Sequence, residues 1–131
     1  MLADLHFIAV AGWLVELSAT QFIRQILLFH IKDCRVVVNG AGSAGVAITK
    51  LLLTYGFPNI IMCDKVGIVS KDTEGLNWMQ KKMTEVTNLN NETGSLADAL
   101  KGADIFIGVS APNIVTPEMV ASMNRDSILF A

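Results

Sequence analysis

The stretch VVVNGAGSAGVAITKLLL, residues 36–53, constrains the fold of this chain more than any other. Three β-branched valines come first, a run of small residues follows, and the remainder has the apolar spacing of a helix. Gly40, Gly42 and Gly45 fit the pattern G-x-G-x-x-G, in which a tight turn joins a strand to a helix and a pyrophosphate approaches the main chain. The stretch therefore predicts a phosphate-binding turn. The alternative is a close-packed turn that binds nothing.

The rest of the chain alternates between short apolar runs and segments with helical periodicity. The predicted strands cover residues 34–39, 59–64, 104–110 and 127–131. The predicted helices cover 46–55, 77–86 and 96–101, and a last one begins after Thr116 with Pro117 at its first position. No hairpin turn separates the strands, which favours a parallel sheet covered on both faces. We expect an α/β fold, a Rossmann-type doubly wound parallel sheet of about four strands.

Residues 7–31 carry apolar side chains at helical spacing, with polar side chains on the opposite side. This pattern predicts a helix, and its second apolar face indicates that it packs on both sides. We therefore divide the chain into a helical lead-in segment, 1–33, and a dinucleotide-binding domain, 34–131, and we expect a homo-oligomer.

Composition excludes several classes of protein. The chain has 131 residues, 52% of them apolar, which suits one domain with one core. A net charge of −2 offers no basic surface for nucleic acid. No apolar run reaches the ~18 to 20 residues that span a bilayer, and no targeting segment is evident. Cys34 and Cys63 are expected to be buried reduced thiols, which fits a cytoplasmic protein.

A carboxylate follows the second predicted strand. Asp64 there could accept hydrogen bonds from both hydroxyls of an adenosine ribose, and it would repel a 2′-phosphate, so NAD is favoured over NADP. Lys65 could instead pair with that phosphate, which leaves NADP open. The alternative is that Asp64 only forms the turn after the strand.

The segment GVSAP, residues 108–112, leaves the third predicted strand at its carboxyl end, where open α/β sheets bind ligands. We expect Gly108 to Ala111 to line the ribose or nicotinamide side of the cleft, although an ordinary loop of small residues would look the same. His6 and His30 have no carboxylate partner nearby in sequence, and no catalytic triad, carboxylate pair or metal-ligand cluster is recognisable. We therefore predict no catalytic residue and no metal ligand in this chain.

Several runs are together more specific than the glycine pattern: VVVNGAGSAGVAITKLLL, NIIMCDKVGI, EGLN, TGSLADALKGADIFIGVSAP and TPEMVASM. In these runs the chain resembles the NAD(P)-binding domain of malic enzymes of the bacterial type. The resemblance implies oxidative decarboxylation of malate to pyruvate and carbon dioxide, with hydride passing to NAD or NADP and with a Mg or Mn ion. It also implies cofactor contacts for three sets of residues. These are Gly42, Ser43, Ala44, Gly45 and Val46 at the pyrophosphate, Asp64 at the ribose, and Val109, Ser110 and Ala111 at the rest of the cofactor.

The chain also departs from this family. Family members carry a tyrosine and a lysine for proton transfer, and most metal carboxylates, in a preceding domain without a counterpart here. Asp4-Leu5-His6 matches a family metal motif only in part, and the asparagine loop expected after the last strand is missing. We expect a truncated fragment that binds cofactor but does not turn over malate. The alternatives are a non-catalytic NAD-binding or sensing module and an amino-acid dehydrogenase, against which the GSLADALKGADIFIGVSAP run argues.

Overall fold

A computed structural model describes the backbone of residues 7–9 and the whole of residues 31–131. The strands are β1 (Phe7–Ala9), β2 (Val36–Asn39), β3 (Ile60–Cys63), β4 (Ile105–Gly108) and β5 (Ile128–Phe130). The helices are α1 (Ser43–Thr54), α2 (Trp78–Met83), α3 (Leu96–Leu100) and α4 (Pro117–Ser122), and a 3₁₀ turn covers Ile31–Asp33. Among the described residues, no helix is both long enough and apolar enough to cross a membrane.

The strands form one parallel sheet in the order β1-β5-β4-β2-β3. Strand β2 lies inside it, and Val36 pairs with Ile60 of β3 on one side and with Ile105 of β4 on the other. The chain leaves β2 toward β3 and then returns past β2 to form β4. The doubly wound parallel fold is therefore confirmed, and the strand order reverses between β2 and β4.

Helices cover both faces of the sheet, as near-continuous apolar strands require. On one face, Val37, Ile61 and Phe106 pack with Leu100 of α3 and with Met123, which follows α4. On the other face the core includes Val36, Val38, Ile105 and Ile107 of the strands and Leu52 of α1. Alternate residues of β2 thus contribute to cores on opposite faces of the sheet.

The structure differs from the sequence prediction at the N-terminal segment. Phe7–Ala9 form a strand where a helix was expected, and they pair in parallel with Ile128–Phe130 of β5. The sheet accordingly has five strands where about four were predicted. Three residues are too few to show strand alternation, and their pairing partner lies at the far end of the sequence. The rest of the predicted helix, residues 10–31, falls outside the described residues except for Ile31, and the domain boundary stays a prediction.

Local signals for helix ends are confirmed. Ser95 caps α3 in a capping box with Asp98, and the Thr116 hydroxyl accepts a hydrogen bond from Met119 at the start of α4. Helix α1 begins at Ser43, three residues earlier than predicted, and α2 ends at Met83, three residues earlier than predicted.

Cys34 and Cys63 both lie in the described part of the chain, and both are buried and free, as predicted. Burial raises the pKa of each thiol to about 12, with a smaller contribution from a neighbouring carboxylate, Asp104 for Cys34 and Asp64 for Cys63. The raised pKa disfavours the thiolate form of both side chains at neutral pH.

Candidate functional site

The predicted site residues come from three separate segments, and the sheet brings these segments to one edge. Asn39 ends β2 beside Gly108, which ends β4, and the Val109 amide donates to the Asn39 carbonyl at 2.9 Å. On the other side of β2, the Gly40 amide donates to the Cys63 carbonyl at 2.8 Å. The site therefore lies at the carboxyl ends of the strands, at the point where strand order reverses, where open α/β sheets bind ligands.

The three glycines of the turn have three different surroundings. Gly40 has φ +133°, and a β-carbon there would lie 2.8 Å from Val109 Cγ2. A β-carbon on Gly45 would overlap the Gly40 carbonyl oxygen, which shows how closely α1 approaches the turn. A β-carbon on Gly42 would meet no atom within 4 Å. Protein packing therefore explains glycine at two of these positions, whereas at the third it does not, because open space lies beside Gly42.

Helix α1 begins at this turn with unpaired donors. Gly42 is its N-cap and contributes no side-chain cap, and the first hydrogen bond runs from the Val46 amide to the Gly42 carbonyl at 2.9 Å. The amides of Ser43, Ala44 and Gly45 therefore have no acceptor within the helix. These donors and the positive end of the helix dipole favour an anion.

Val46 was also predicted to contact the pyrophosphate, and this contact stays a prediction. Its amide already bonds to Gly42, and its side chain is 6% exposed among Met62, Val69 and Met83. Val46 therefore offers no free backbone donor, although it lines a cleft together with Gly42 and Ser43.

Gln80 of α2 holds the glycine turn from outside. Its Nε2 donates to the Ala41 carbonyl at 2.8 Å, while its Oε1 accepts from the Asn77 amide at 3.1 Å in a capping box. Sequence reasoning missed this residue. The signal available was the N-x-x-Q spacing of a capping box, which indicates a helix start but no contact with residue 41.

Asp64 follows β3 and forms a tight turn with its own backbone. Its Oδ1 accepts from the amides of Val66 and Gly67 at 2.8 and 3.1 Å. These two bonds fix the direction of the carboxylate, and Oδ2 makes no hydrogen bond to the described residues. The next residue, Lys65, is exposed, and both residues line one cleft at this edge of the sheet. Asp64 therefore forms the turn through Oδ1, and its Oδ2 is available to a ligand.

Two clefts meet at the edge of the sheet. One, of about 450 Å³, includes Asp64, Ser95 and Met119 in its wall, and the other, of about 380 Å³, includes Phe106 and Val115. Both clefts share Asn39, Ser110, Ala111 and Ile114. The two clefts together extend along this edge from Asp64, after β3, to Ser110 and Ala111, after β4.

The predicted residues after β4 fall into two groups. Val109 packs its Cγ2 against the glycine turn, close to Gly40 and Gly45. Ser110 and Ala111 are exposed and line both clefts. Asn39, which was not predicted, also lines both clefts. The signal that could have identified it is a polar residue at the end of a buried β-branched run, directly before the glycines.

Within the described residues, no three His, Cys, Asp or Glu side chains come together as a metal site requires. The candidate ligand Asp4 and both histidines lie outside the described residues. What these residues can do is bind an elongated ligand with anionic groups.

A family model described as alanine dehydrogenase/PNT, C-terminal domain, matches residues 15–130. The NAD-dependent malic enzyme of Geobacillus stearothermophilus is 46% identical over 128 residues, 98% of this chain and 26% of that protein. The NADP-dependent malic enzyme of Rhizobium meliloti is 41% identical over 103 residues, 76% of this chain and 13% of that protein. A crystal structure of an NAD-dependent malic enzyme from Thermotoga maritima matches with a TM-score of 0.79 and 38% identity, over 84% of this chain and 30% of that one.

The chain spans about a quarter of the length of the Geobacillus relative. The family description includes alanine dehydrogenase, so the amino-acid dehydrogenase alternative is related through this domain, whereas the relatives and the solved structure named above are malic enzymes. The chain therefore belongs to the family of alanine dehydrogenase/PNT C-terminal domains, and its predicted resemblance to the NAD(P)-binding domain of malic enzymes is confirmed.

Proposed function

We propose that this chain binds a nicotinamide dinucleotide and forms the cofactor domain of an enzyme that oxidatively decarboxylates malate. The observation that carries the proposal is Gly42, where a β-carbon would meet open space directly before the unpaired amides of α1. A pyrophosphate at this position would accept hydrogen bonds from Ser43, Ala44 and Gly45. The printed names of the relatives, NAD- and NADP-dependent malic enzymes, supply the class of reaction.

The positions of the polar groups support one orientation of the dinucleotide. Asp64, at the end of β3, would accept from the adenosine ribose, with the turn amides of Val66 and Gly67 holding its carboxylate in place. The same carboxylate would repel the 2′-phosphate of NADP, so NAD is the preferred cofactor. The nicotinamide half then extends over β2 toward Ser110 and Ala111.

In this proposal the domain binds and orients the cofactor and does no proton transfer. A bound dinucleotide would accept the hydride from the substrate. The described residues include no cluster of metal-ligating side chains, and a Mg or Mn ion stays an expectation for a whole malic enzyme. We infer that the chain by itself does not oxidise malate.

Homo-oligomerisation and a cytoplasmic location also stay proposals, and light scattering tests the first.

The test is a titration of the purified chain with NADH and with NADPH, followed by nicotinamide fluorescence. We expect NADH to bind more tightly. Asp64→Ala should weaken NADH binding about tenfold, because it removes a charge-assisted hydrogen bond. It should also reduce the difference between the dissociation constants of NADH and NADPH. Glu85→Ala is the matched control, since it removes an exposed carboxylate that lines neither cleft.

Absence of NADH binding by the unchanged chain would refute the proposed function. An unchanged NADH affinity in Asp64→Ala would refute the ribose contact alone. Reduction of NAD by the chain on addition of malate and Mn would contradict the inference that the chain by itself does not oxidise malate.

A further inference from the structure

Asn39 is a buried polar residue that the proposed cofactor contacts do not include. It ends β2, where strand order reverses, and it is 4% exposed. Its Nδ2 donates to the Ser110 hydroxyl oxygen at 3.1 Å, across the gap between β2 and the loop after β4. This bond joins the two halves of the site and lies at the common wall of both clefts.

The hydrogen bond from Asn39 determines which atom of the Ser110 hydroxyl is available to a ligand. An amide nitrogen only donates, so the Ser110 oxygen is the acceptor, and its own hydrogen remains available for another partner. In the described part of the chain, the bond to Asn39 is the one hydrogen bond of the Ser110 side chain. Because Ser110 is exposed and lines both clefts, its hydrogen is free to point toward a ligand.

The position of Ser110 decides which part of a ligand it would meet. Asp64 follows β3, the glycine turn follows β2, and Ser110 follows β4, so β2 separates Asp64 from Ser110. With adenosine at Asp64 and pyrophosphate at the turn, the nicotinamide ribose and carboxamide fall on the side of β4. Both groups carry oxygen atoms that accept hydrogen bonds.

We propose that Asn39 is a positioning residue that keeps the Ser110 hydroxyl as a hydrogen-bond donor to the nicotinamide half of the bound dinucleotide. This inference rests on the proposed function and adds a residue to it. Asn39 does not contact the ligand in this role. It acts through Ser110, by occupying the hydroxyl oxygen from the protein side.

The experiment compares NADH with ADP, which contains the adenosine and pyrophosphate but lacks the nicotinamide half. Dissociation constants for both ligands are measured for the unchanged chain, Ser110→Ala, Asn39→Asp and the double variant. A carboxylate at position 39 only accepts, so it would draw the Ser110 hydrogen away from the ligand. Its added charge also repels both ligands, and it repels ADP more because the terminal phosphate of ADP carries an additional negative charge. This repulsion would lower the ratio of the NADH constant to the ADP constant, so it cannot account for a rise in that ratio.

We expect Ser110→Ala to raise this ratio about fivefold, the typical effect of one lost hydrogen bond. Asn39→Asp should raise it by at least as much, and the double variant should show no more than the Ser110→Ala effect. Asn39→Ala, which removes the bond without adding a charge, provides a second variant if Asn39→Asp does not fold. Thermal unfolding of each variant confirms that the folded protein is being titrated.

An unchanged ratio in both Asn39 variants would overturn the inference. So would effects of Asn39→Asp and Ser110→Ala that multiply in the double variant, since independent effects mean that the residues do not act through each other. If NADH and ADP bind but the ratio stays constant, the positioning role alone fails. If neither ligand binds, the proposed function fails as well.

Discussion

Three glycines within six residues have three physical reasons for being glycine. Gly40 adopts a positive φ against Val109, and Gly45 lies where a side chain would overlap the backbone of the turn. Only Gly42 faces space that no protein atom occupies. The spacing in the sequence predicts a phosphate-binding turn, but it does not separate a glycine that the fold requires from one that a ligand requires.

This difference predicts opposite outcomes for two alanine variants. Gly45→Ala should lower the free energy of unfolding by about 2 kcal/mol or more, because the turn must move to admit a β-carbon. Gly42→Ala should cost less than about 1 kcal/mol, the scale of an N-cap change, yet weaken NADH binding at least about tenfold. Chemical denaturation and NADH fluorescence measure the two effects. A large loss of stability in Gly42→Ala would contradict the assignment of that space to a ligand.

The short helices of this fold depend on their caps. Helix α3 has five residues, and Ser95 and Asp98 exchange hydrogen bonds at its start, with the Ser95 amide donating to Asp98 Oδ2 at 2.9 Å. The Ser95 backbone bond, the Ser95 hydroxyl and Lys101 together hold the pKa of Asp98 below its usual value of 3.8. Such caps are local in sequence, which is why the start of this helix was predictable.

The lowered pKa of Asp98 predicts a pH dependence. Because the folded-state pKa is below the unfolded-state value, the carboxylate stabilises the fold above pH 3.8, and this contribution is lost as the pH falls through the folded-state pKa. The unchanged chain should therefore have a higher urea midpoint than Asp98→Asn at pH 7. The difference should shrink below pH 4. A difference that stays constant over this range would contradict the role of the charge.

Arg35 connects distant parts of the molecule at the edge of the sheet opposite the site. Its guanidinium donates to both oxygens of Glu92 at 2.8 and 3.2 Å and to the Ala99 carbonyl at 3.0 Å. Its amide donates to Asp104 Oδ2 at 2.9 Å. The Arg35 side chain is 17% exposed, so solvent screens its bidentate ion pair with Glu92 less than it screens a surface ion pair.

Replacing Arg35 tests how much this network stabilises the whole domain. Arg35→Met should lower the free energy of unfolding by about 2 kcal/mol, because it removes a bidentate pair and leaves the Ala99 carbonyl without its donor. Lys101→Met is the control, since the Lys101 pair with Asp98 is exposed at 3.4 Å and should contribute little. Chemical denaturation measures both. Equal losses in the two variants would contradict a special role for Arg35.

At the candidate site, short-range sequence patterns predicted which segments take part but not their contacts. The glycine turn, Asp64 and the segment after β4 were identified from their places after apolar strands, because the carboxyl ends of parallel strands form one edge. The hydrogen-bond partners at the site were not predicted. Gln80 reaches Ala41 and Asn39 reaches Ser110 across sequence separations of 39 and 71 residues, and no short-range pattern encodes either contact.

The sequence by itself determined the strand, turn and helix around the glycines, the caps of α3 and α4, and a parallel sheet with buried strands, because each depends on residues a few positions apart. Only the tertiary structure decided the strand order, the addition of Phe7–Ala9 to the edge beside β5, the contact of Gln80 with Ala41 and the orientation of Ser110. These features depend on which distant segments meet in space, and that depends on the packing of the whole molecule.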